Sequence, residues 1–333
     1  MTSAPVVTPR VARDAAASIG DRVVLVTGGT GFLGHALVSR LLALGPAAVR
    51  ILSQSEVRRS QVEQLFRGSA VPLEFVSGDV ADPFIARQAV DGVHIVFHLA
   101  AMKYVNFCEQ QPYQAVKTNI VGSKNLIDAA VSVPTLERFI AVSTDKASNP
   151  VGVYGMTKAL VERIVCDAQA QSGAVFTVVR CGNFWGSTAS VVPIWLRIAR
   201  EGRDIEVTDP DMTRFVMLAE EGVDLVLEAT VTDGPGQILA RVMPSYLLAD
   251  LAQVFRERFG VATRVVGMRL GEKLHEDLIA RTEAPFTRRE EDRFIITPWR
   301  PTLHPVGPFS SADASRLSTK ELDQLLNAEG ITV

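Results

Sequence analysis

The sequence predicts an α/β protein built on a doubly wound parallel sheet, with a smaller C-terminal lobe for substrate binding. Short apolar runs rich in β-branched residues alternate with longer helical patterns through the first half of the chain, as in sheets whose strands are joined by crossover helices. A glycine-rich turn joins the first of these strands to the first helix. At 333 residues with 47% apolar residues, the chain can form one large α/β domain and an added lobe.

The first unit is a strand, a glycine turn and a helix. The apolar run at residues 22–27 ends at the turn, and a helical pattern starts at residue 35. Gly28, Gly31 and Gly34 suit a tight turn, close approach of the backbone to a pyrophosphate, and close packing of helix on strand. Because both the strand and the helix are present, the motif predicts a Rossmann-type dinucleotide site.

The alternation of strands and helices then continues along the chain. The later strands are predicted at residues 49–52, 73–76, 94–98, 139–142 and 175–180. Helical patterns between them favour a parallel sheet with helices on both faces. The two histidines of the 94–98 strand are interpreted as core residues, because no metal-ligand pattern surrounds them.

The end of the second strand bears on the choice of cofactor. Folds that prefer NAD usually carry an acidic residue there for the ribose hydroxyls, and this chain has none. Ser53, Ser55, Arg58 and Arg59 could instead accept a ribose phosphate, so we predict NADP, with NAD possible. The two arginines could equally form a solvated helix face.

Asp79 and Val80 follow the third strand. Asp79 could accept a hydrogen bond from an adenine amino group, and Val80 could pack on the ring. An Asx turn leading to Pro83 explains the same residues about as well.

Composition excludes several classes of protein. A net charge of −3, with scattered lysines and arginines, provides no field for nucleic acid or an anionic membrane. Small molecules and further copies of the chain are therefore the expected partners. The cysteines Cys108, Cys166 and Cys181 lack metal-ligand spacing, so no metal is predicted and a reducing compartment is favoured.

The termini and hydropathy give the expected location. Residues 1–20 contain Arg10 and Arg13 but no continuous apolar stretch, and are interpreted as a loose N-terminal extension. No segment reaches the ~18 apolar residues of a membrane helix. We therefore expect a cytoplasmic protein without a membrane span.

Two acid/base pairs occur close together. Tyr154 and Lys158 are four residues apart and share a helix face, where an ammonium group would lower the pKa of the phenol. Asp145 and Lys146 follow the apolar run at 138–142, at the carboxyl end of a strand, where open α/β sheets bind ligands. Taken alone, the first pair is a weak pattern and the second could be a helix cap beside a solvated lysine.

Together these motifs resemble the extended short-chain dehydrogenases/reductases. The motifs that carry the resemblance are Thr27-Gly-Gly-Thr-Gly-Phe-Leu-Gly34, Gly78-Asp-Val80, His98-Leu-Ala-Ala101, Lys117-Thr-Asn-Ile-Val-Gly122 and Tyr154-Gly-Met-Thr-Lys158. They appear in the order that the family shows. The resemblance implies a nicotinamide cofactor held by Gly28, Thr30, Gly31, Phe32, Leu33, Gly34, Ser53, Ser55, Arg58, Asp79, Val80, Ala100, Ala101, Tyr154 and Lys158.

Within that family, the chain is similar to the UDP-N-acetylglucosamine 4,6-dehydratases that invert carbon 5. The matching segments are Lys103, Ser143-Thr-Asp-Lys-Ala147, Asn149-Pro150, Gly186-Ser with Ser190-Val-Val-Pro193, Met212-Thr-Arg-Phe215 and Gly271-Glu-Lys-Leu-His-Glu276. The similarity covers residues 20–300, and the Asp-Lys pair is its most diagnostic part. We expect an NADP-binding Rossmann domain at 21–182, and at 183–333 mainly the substrate lobe, with some segments returning to the first domain.

The resemblance implies a role for each catalytic residue. Tyr154 would take the proton of the 4-hydroxyl, with Lys158 lowering its pKa and binding the nicotinamide ribose. Lys146 would remove the hydrogen on carbon 5 while Asp145 protonates the departing 6-hydroxyl. Thr144 would hold the 4-oxygen by a hydrogen bond, although a purely structural hydroxyl at the end of a strand is a fair alternative.

The same resemblance implies substrate contacts at Lys103, Asn183, Arg214, Arg269 and Glu272, facing a diphosphate and a uridine ribose. Each of the five could instead be a surface ion-pair partner. The chain also departs from the family pattern at four places, which are Cys181 for a tyrosine, Thr188-Ala189 for Arg-Gly, Asp211 for a basic residue and Leu270 for a proline. Because of these departures, the sequence predicts the type of reaction more firmly than the identity of the sugar.

Two other functions fit part of the pattern. A nucleotide-sugar 4-epimerase or reductase would use Tyr154 but would not need the Asp-Lys pair. A non-catalytic NADP-binding regulator could lose all four acid/base residues, yet all are present. Helical patterns at 112–131 and 152–171 predict a homo-oligomer, although packing within one subunit explains much of the same pattern. Residues 283–308 are interpreted as an ordered loop or an arm against a neighbour.

Overall fold

The main sheet has seven parallel strands and an antiparallel hairpin at one edge. The computed structural model describes residues 9–188, 190–232 and 234–328. Its strands, in chain order, are β1 (Val23–Thr27), β2 (Ala48–Ser53), β3 (Leu73–Ser77), β4 (Ile95–His98), β5 (Arg138–Thr144), β6 (Val175–Cys181), β7 (Ile205–Val207), β8 (Thr213–Phe215), β9 (Gln237–Arg241), β10 (Ser245–Leu247), β11 (Thr263–Val265), β12 (Asp277–Ile279), β13 (Thr287–Glu290), β14 (Arg293–Ile296) and β15 (Phe309–Ser310). The main sheet has the order β13-β14-β9-β6-β5-β4-β1-β2-β3, which confirms the predicted doubly wound α/β fold.

The helices cover both faces of this sheet and build the smaller lobe. In chain order they are α1 (Pro9–Ile19), α2 (Phe32–Leu44), α3 (Glu56–Leu65), α4 (Pro83–Val90), α5 (Val105–Gln110), α6 (Pro112–Ala115), α7 (Gly122–Val131), α8 (Val153–Ala168), α9 (Val191–Arg200), α10 (Ala219–Glu228), α11 (Leu248–Phe259) and α12 (Thr319–Ala328). A π-helical stretch at Val116–Val121 joins α6 to α7, and a 3-10 turn at Asp145–Ala147 follows β5. Within the described residues, no helix combines the length and apolar character that crossing a membrane requires.

Two apolar cores hold the molecule together. The larger lies on both faces of the main sheet, where Phe97, Phe139 and Phe176 are fully buried. The smaller core is built around Trp195 and Phe255, whose rings meet edge to face at 5.5 Å. It packs α9, α11 and α12 together with short strands, and so forms a wall across from the carboxyl edge of the main sheet.

Strands from the second half of the chain also join the main sheet. β9 pairs in parallel with β6, and β14 then pairs antiparallel with β9. The smaller lobe is therefore interleaved with the main sheet along the chain. A domain boundary at residue 182 stays a prediction.

Two local expectations are wrong. Residues 9–19 were expected to belong to a loose extension, but they form α1, with Ala15 and Ile19 buried and the Ser18 hydroxyl donating to the Thr230 carbonyl at 3.2 Å. Residues 1–8 lie outside the described chain. Part of the 283–308 segment forms the β13–β14 hairpin, because three consecutive apolar residues at 294–296 are buried against the sheet edge.

Candidate active site

A cavity of about 880 Å³ lies between the carboxyl edge of the main sheet and the smaller lobe. Its walls come from the ends of β5 and β6, the start of α8, helix α9 and the loop before β12. Eight of the residues predicted from the sequence line it, namely Lys103, Thr144, Lys146, Tyr154, Asn183, Arg214, Arg269 and Glu272. The structure thus brings the predicted substrate and acid/base residues to one place, with Asp145 buried directly behind them.

Asp145 lies in the tight turn that ends β5. Its Oδ1 accepts hydrogen bonds from the Thr144 hydroxyl at 2.8 Å and from Lys146 Nζ at 3.1 Å. Its Oδ2 is buried and has no hydrogen-bond partner in the part of the chain that the structure describes. Burial raises the pKa of this carboxyl group, against the opposing effect of Lys146. Asp145 is therefore a carboxyl group that can hold a proton more readily than a solvated one.

Lys146 is the polar centre of the site. Besides Asp145, its Nζ contacts Asn183 Oδ1 at 2.7 Å and Glu276 Oε1 at 3.3 Å. Burial alone would lower the pKa of this amine, but the carboxylates of Asp145 and Glu276 raise it overall. Lys146 is therefore a strong base whose proton is held by two acidic neighbours.

Sequence reasoning assigned no role to Glu276, although it closes the Gly271–Glu276 motif. The structure places it 2% exposed, with Oε1 also 3.8 Å from Arg214 Nε and Oε2 4.0 Å from Lys273 Nζ. Burial alone would raise the pKa of this carboxyl group, but Lys146, Arg214 and Lys273 lower it overall. The sequence offered one indication of a role for Glu276, which is its place at the end of the motif that also contains the predicted substrate residue Glu272.

Tyr154 and Lys158 lie on the first turns of α8. Tyr154 is partly exposed to the cavity, whereas Lys158 is buried and its Nζ donates to the Val142 carbonyl at 2.7 Å. Burial lowers the pKa of Lys158 to about 8. Burial and the nearby Asp145 carboxylate raise the pKa of Tyr154 above its usual range. The lowered tyrosine pKa expected from the sequence is therefore not found, because burial and Asp145 outweigh the lowering by a hydrogen bond with Thr144.

The glycine turn after β1 has the shape of a phosphate cradle. Gly28 has a φ of 70°, and a Cβ there would lie 2.9 Å from the Ala100 nitrogen. A Cβ at Gly34 would collide with the Gly28 carbonyl oxygen. Gly31 precedes α2 with no side-chain cap, so the first N–H groups of this helix face the turn. The turn can therefore receive an anionic group such as a pyrophosphate.

The residues expected at the ribose and adenine lie around this cradle. The Ser53 hydroxyl is 2.9 Å from that of Thr30, and Ser55 caps α3 by accepting from the Arg58 nitrogen at 3.3 Å. Asp79 Oδ1 accepts from the Ala81 nitrogen at 2.9 Å, so the Asx turn considered as an alternative is formed. Val80 is 3% exposed and belongs to the core.

The two arginines of α3 differ. Arg59 donates to Glu63 at 2.8 Å and to the Ser77 hydroxyl at 3.1 Å, and it lies over the Phe75 ring. Arg58 is exposed on the same helix, close enough to His35 to lower the pKa of that imidazole, where burial is the larger cause. Arg58 is therefore the better placed of the two for a ribose phosphate.

His98 lies on β4 and was predicted to be a core residue and not a metal ligand. His98 lies between the Thr27 hydroxyl at 2.7 Å and the Ser123 hydroxyl at 2.8 Å, and burial lowers its pKa to about 3. Among the described residues, no group of three His, Cys, Asp or Glu side chains could hold a metal ion.

Known proteins are similar to this chain in sequence and in fold. Over 320 residues the chain is 37% identical to an uncharacterized membrane protein of Methanocaldococcus jannaschii, covering 92% of this chain and 95% of the other. It is 35% identical to a UDP-glucose 4-epimerase of Rickettsia prowazekii, with coverage of 92% and 95%. It is also 35% identical to a UDP-N-acetylglucosamine 4,6-dehydratase (inverting) of Campylobacter jejuni, with coverage of 83% and 82%.

A solved structure is similar over almost the whole chain. Pen from Bacillus thuringiensis matches with a TM-score of 0.89 and 32% identity, covering 95% of this chain and 99% of the other. The fold and site thus define an extended short-chain dehydrogenase/reductase of the nucleotide-sugar dehydratase and epimerase group. More particularly, the chain belongs to the family described as polysaccharide biosynthesis protein, whose model matches residues 24–298.

Proposed function

We propose that this chain is a nucleotide-sugar 4,6-dehydratase that acts on UDP-N-acetylglucosamine or a close relative and inverts carbon 5. The observation that carries this proposal is the Asp145–Lys146 pair, whose charged atoms are 3.1 Å apart. Lys146 lines the cavity together with Tyr154, and Asp145 is buried directly behind it. Oxidation at carbon 4 needs one proton acceptor, which Tyr154 can be. Elimination across carbons 5 and 6 needs a further base and a further acid, and this pair can provide both.

We infer that the cofactor is NADP, with NAD as the alternative. The cradle at Gly28 and Gly34, where a Cβ would meet backbone, fits a dinucleotide pyrophosphate. Ser53 and Ser55 follow the second strand, where folds that prefer NAD carry an acidic residue that would repel a ribose phosphate. The exposed Arg58 adds a positive charge that would attract this phosphate. When bound, the nicotinamide ring would supply reversible hydride exchange with the sugar.

Tyr154 acts first in this scheme. Its hydroxyl accepts the proton of the sugar 4-hydroxyl, and this requires the phenolate form. Burial opposes that form, since the pKa of Tyr154 is raised. Lys158, buried one helical turn further along α8, is the cation whose charge would offset this cost when the site is filled.

Asp145 and Lys146 then carry out the elimination. Transfer of a proton from the ammonium to the carboxylate across 3.1 Å yields a neutral amine and a carboxylic acid in one step. The amine takes the proton on carbon 5, and the acid gives its proton to the 6-hydroxyl, which leaves as water. Lys146 is then an ammonium and Asp145 a carboxylate, so the elimination balances and the ion pair of this structure is restored. Carbon 6 would then accept the hydride that left carbon 4, and carbon 5 would take up one proton in place of the one that Tyr154 removed from the 4-hydroxyl.

Residues of the smaller lobe would hold the nucleotide. Arg214 lies on β8, with Nη1 donating to the Thr213 carbonyl at 2.7 Å, while the Glu272 carboxylate accepts from the Arg269 nitrogen at 3.0 Å. Together with Lys103 and Asn183 they line the cavity. Guanidinium groups suit a diphosphate, so these residues support a nucleoside-diphosphate sugar as the substrate.

A 4-epimerase is the second candidate, because relatives named UDP-glucose 4-epimerase are as similar to this chain as the named dehydratase. An epimerase would use Tyr154 and leave Asp145 and Lys146 without a proton to transfer. A non-catalytic NADP-binding regulator would have no use for any of these groups. The buried Asp145–Lys146 pair favours the dehydratase over both.

The products separate these functions. We would incubate the protein and NADP with UDP-N-acetylglucosamine, and in parallel with UDP-glucose, and analyse both by mass spectrometry and proton NMR. The proposal expects UDP-N-acetylglucosamine to lose one water. An isomer of unchanged mass from either sugar would support the epimerase, and no conversion of any nucleotide sugar would support the regulator.

We further propose that the chain forms a homo-oligomer through α6, α7 and α8. Tyr113 on α6, Val121 in the π-helical stretch that leads into α7, and Met156 and Leu160 on α8 expose between 42% and 81% of their surface. Exposed apolar surface of this extent favours association. Sedimentation should show dissociation for Leu160→Glu but not for Leu65→Glu on α3, which is 63% exposed elsewhere; a monomeric parent protein would contradict the proposal.

The location is part of the proposal as well. Cys108, Cys166 and Cys181 are all buried and free. Unpaired thiols fit a reducing compartment, so we place the enzyme in the cytoplasm.

A further inference from the structure

Glu276 is a buried carboxylate in contact with the proposed base. Its Oε1 is 3.3 Å from Lys146 Nζ, and its side chain is 3% exposed. The Glu276 nitrogen donates to the Ser311 hydroxyl at 2.9 Å, and its carbonyl accepts from the Ser311 nitrogen at 2.8 Å. The backbone of Glu276 is therefore held from both sides, so the position of its carboxylate is fixed relative to Lys146.

If Lys146 acts as a base, a group other than Asp145 has to orient its amine and stabilise the ammonium that it becomes. In the scheme above, Asp145 is protonated at the moment when Lys146 is neutral, so Asp145 carries no charge to attract the amine. Asn183 supplies a neutral oxygen at 2.7 Å. Glu276 is the neighbouring carboxylate with no assigned proton transfer, and it can remain ionised throughout.

We propose that Glu276 is a positioning residue that aims Lys146 into the cavity and stabilises the positive charge gained when this lysine removes a substrate proton. This inference rests on the proposed dehydratase function. The arrangement follows a general logic in which a base is oriented by a third group that does not itself exchange the proton. A proton next to a ketone is weakly acidic, so stabilising the ammonium product lowers the barrier to its removal.

The charged surroundings are consistent with an ionised Glu276. Arg214 approaches from β8 at 3.8 Å and Lys273 from the preceding loop at 4.0 Å. Lys273 is itself fixed by the Ser148 carbonyl at 2.7 Å and by Asp277 at 3.0 Å. The other titratable groups packed around the pair are Asp145, Tyr154 and His275, and the last of these contacts the Thr213 hydroxyl.

The first test needs no substrate. The proton affinity of Lys146 can be followed by reacting the folded protein with an amine-reactive acylating reagent over a pH series and quantifying the Lys146 peptide by mass spectrometry. Glu276→Gln keeps the shape and removes the charge, so Lys146 should react at a lower pH than in the parent protein. Identical reaction profiles would overturn the inference, even if the proposed substrate proves wrong.

The second test uses the reaction. In deuterated water, Glu276→Gln should incorporate deuterium at carbon 5 about 10²-fold more slowly than the parent, while oxidation at carbon 4 in a single turnover is retained. Equal loss of both steps would indicate a purely structural role and overturn the inference.

Matched variants guard against misfolding. Glu290→Gln makes the same chemical change at an exposed carboxylate that pairs with Arg288, and should leave both readouts unchanged. If Glu276→Gln does not fold, Glu276→Asp retains the charge but withdraws it from Lys146. That variant should shift the labelling profile in the same direction by a smaller amount, and an unshifted profile would again overturn the inference.

Discussion

Glu109 Oε1 accepts a hydrogen bond of 2.6 Å from the backbone nitrogen of Val153, which ties α5 to the first turn of the helix that carries Tyr154. Two glycines close around the same carboxylate. A Cβ at Gly152 or at Gly271 would lie 2.8 Å from Glu109 Oε1. Gly271 belongs to the loop that also carries Arg269 and Glu272, so Glu109 joins the proposed nucleotide loop to the catalytic helix.

Removing this carboxylate should disturb both parts of the site. We expect Glu109→Ala to lower kcat about tenfold and to raise KM. The reason is the loss of a charge-assisted hydrogen bond that contributes about 1 to 2 kcal/mol. Glu109→Gln keeps an acceptor oxygen and should lie much closer to the parent enzyme. Steady-state kinetics on both variants check this. Equal losses in the two variants, or no loss in either, would contradict the prediction.

Changing Asp145 or Lys146 should impair dehydration without impairing cofactor binding. Lys146→Ala and Asp145→Asn are each expected to lower dehydration at least ~10²-fold, since each removes one proton-transfer group. Cofactor binding should be retained, because neither residue lies at the glycine cradle. Isothermal titration with NADP and product analysis would check both points. Lys124→Ala, in an exposed pair with Asp128 on α7, serves as the control, and full activity in Lys146→Ala would refute the assignment.

The cofactor prediction depends on Arg58. Arg58→Ala should weaken NADP binding about tenfold and leave NAD binding unchanged, as expected for loss of one charged contact to a phosphate. Arg59→Ala is the matched control, because Arg59 is engaged by Glu63 and Ser77. Tighter binding of NAD than of NADP by the parent protein would contradict the prediction.

Stability should depend on a buried ion-pair network behind the site. Arg180 is fully buried and donates to Glu162 at 2.6 Å and to Glu283 at 2.8 Å. Arg180→Met would leave two buried carboxylates without their partner and should cost about 3–5 kcal/mol of unfolding free energy. Arg22→Met breaks an exposed pair with Glu137 and should cost less than about 1 kcal/mol. Denaturant unfolding compares the two, and similar costs would contradict this account.

The same network predicts a pH dependence. Burial alone would raise the pKa of Glu283, but Arg180 beside it lowers it to about 2. A carboxyl group whose folded pKa lies below its unfolded value of ~4.3 contributes stability above that value. This contribution is lost as the pH falls through the interval toward about 2. Unfolding measured at several acidic pH values should show the loss in the parent protein, and a flat profile would contradict it.

Much of the fold follows from local patterns in the chain. Strands β1 to β6 were predictable because each is an apolar run bounded by a turn, and the site at Asp145 was predictable because strand ends meet at one sheet edge. The β13–β14 hairpin was not, since Thr287–Glu290 carries three charged residues in succession and its pairing depends on a distant strand.

The unpredicted part of the site depends on contacts made in three dimensions. Glu276 reaches Lys146 from a distant segment of the chain, which no spacing rule connects. The pKa of Tyr154 is set by burial, which depends on how the smaller lobe covers the sheet edge. The motif nevertheless placed Tyr154 and Lys158 on one helix, as the structure has them.

The most direct measurement is the reaction of this protein with UDP-N-acetylglucosamine in deuterated water, followed by proton NMR and mass spectrometry. The account predicts a product that has lost one water and carries deuterium at carbon 5, in the inverted configuration. A product of unchanged composition, epimerised at carbon 4 without deuterium at carbon 5, would contradict the proposed dehydratase.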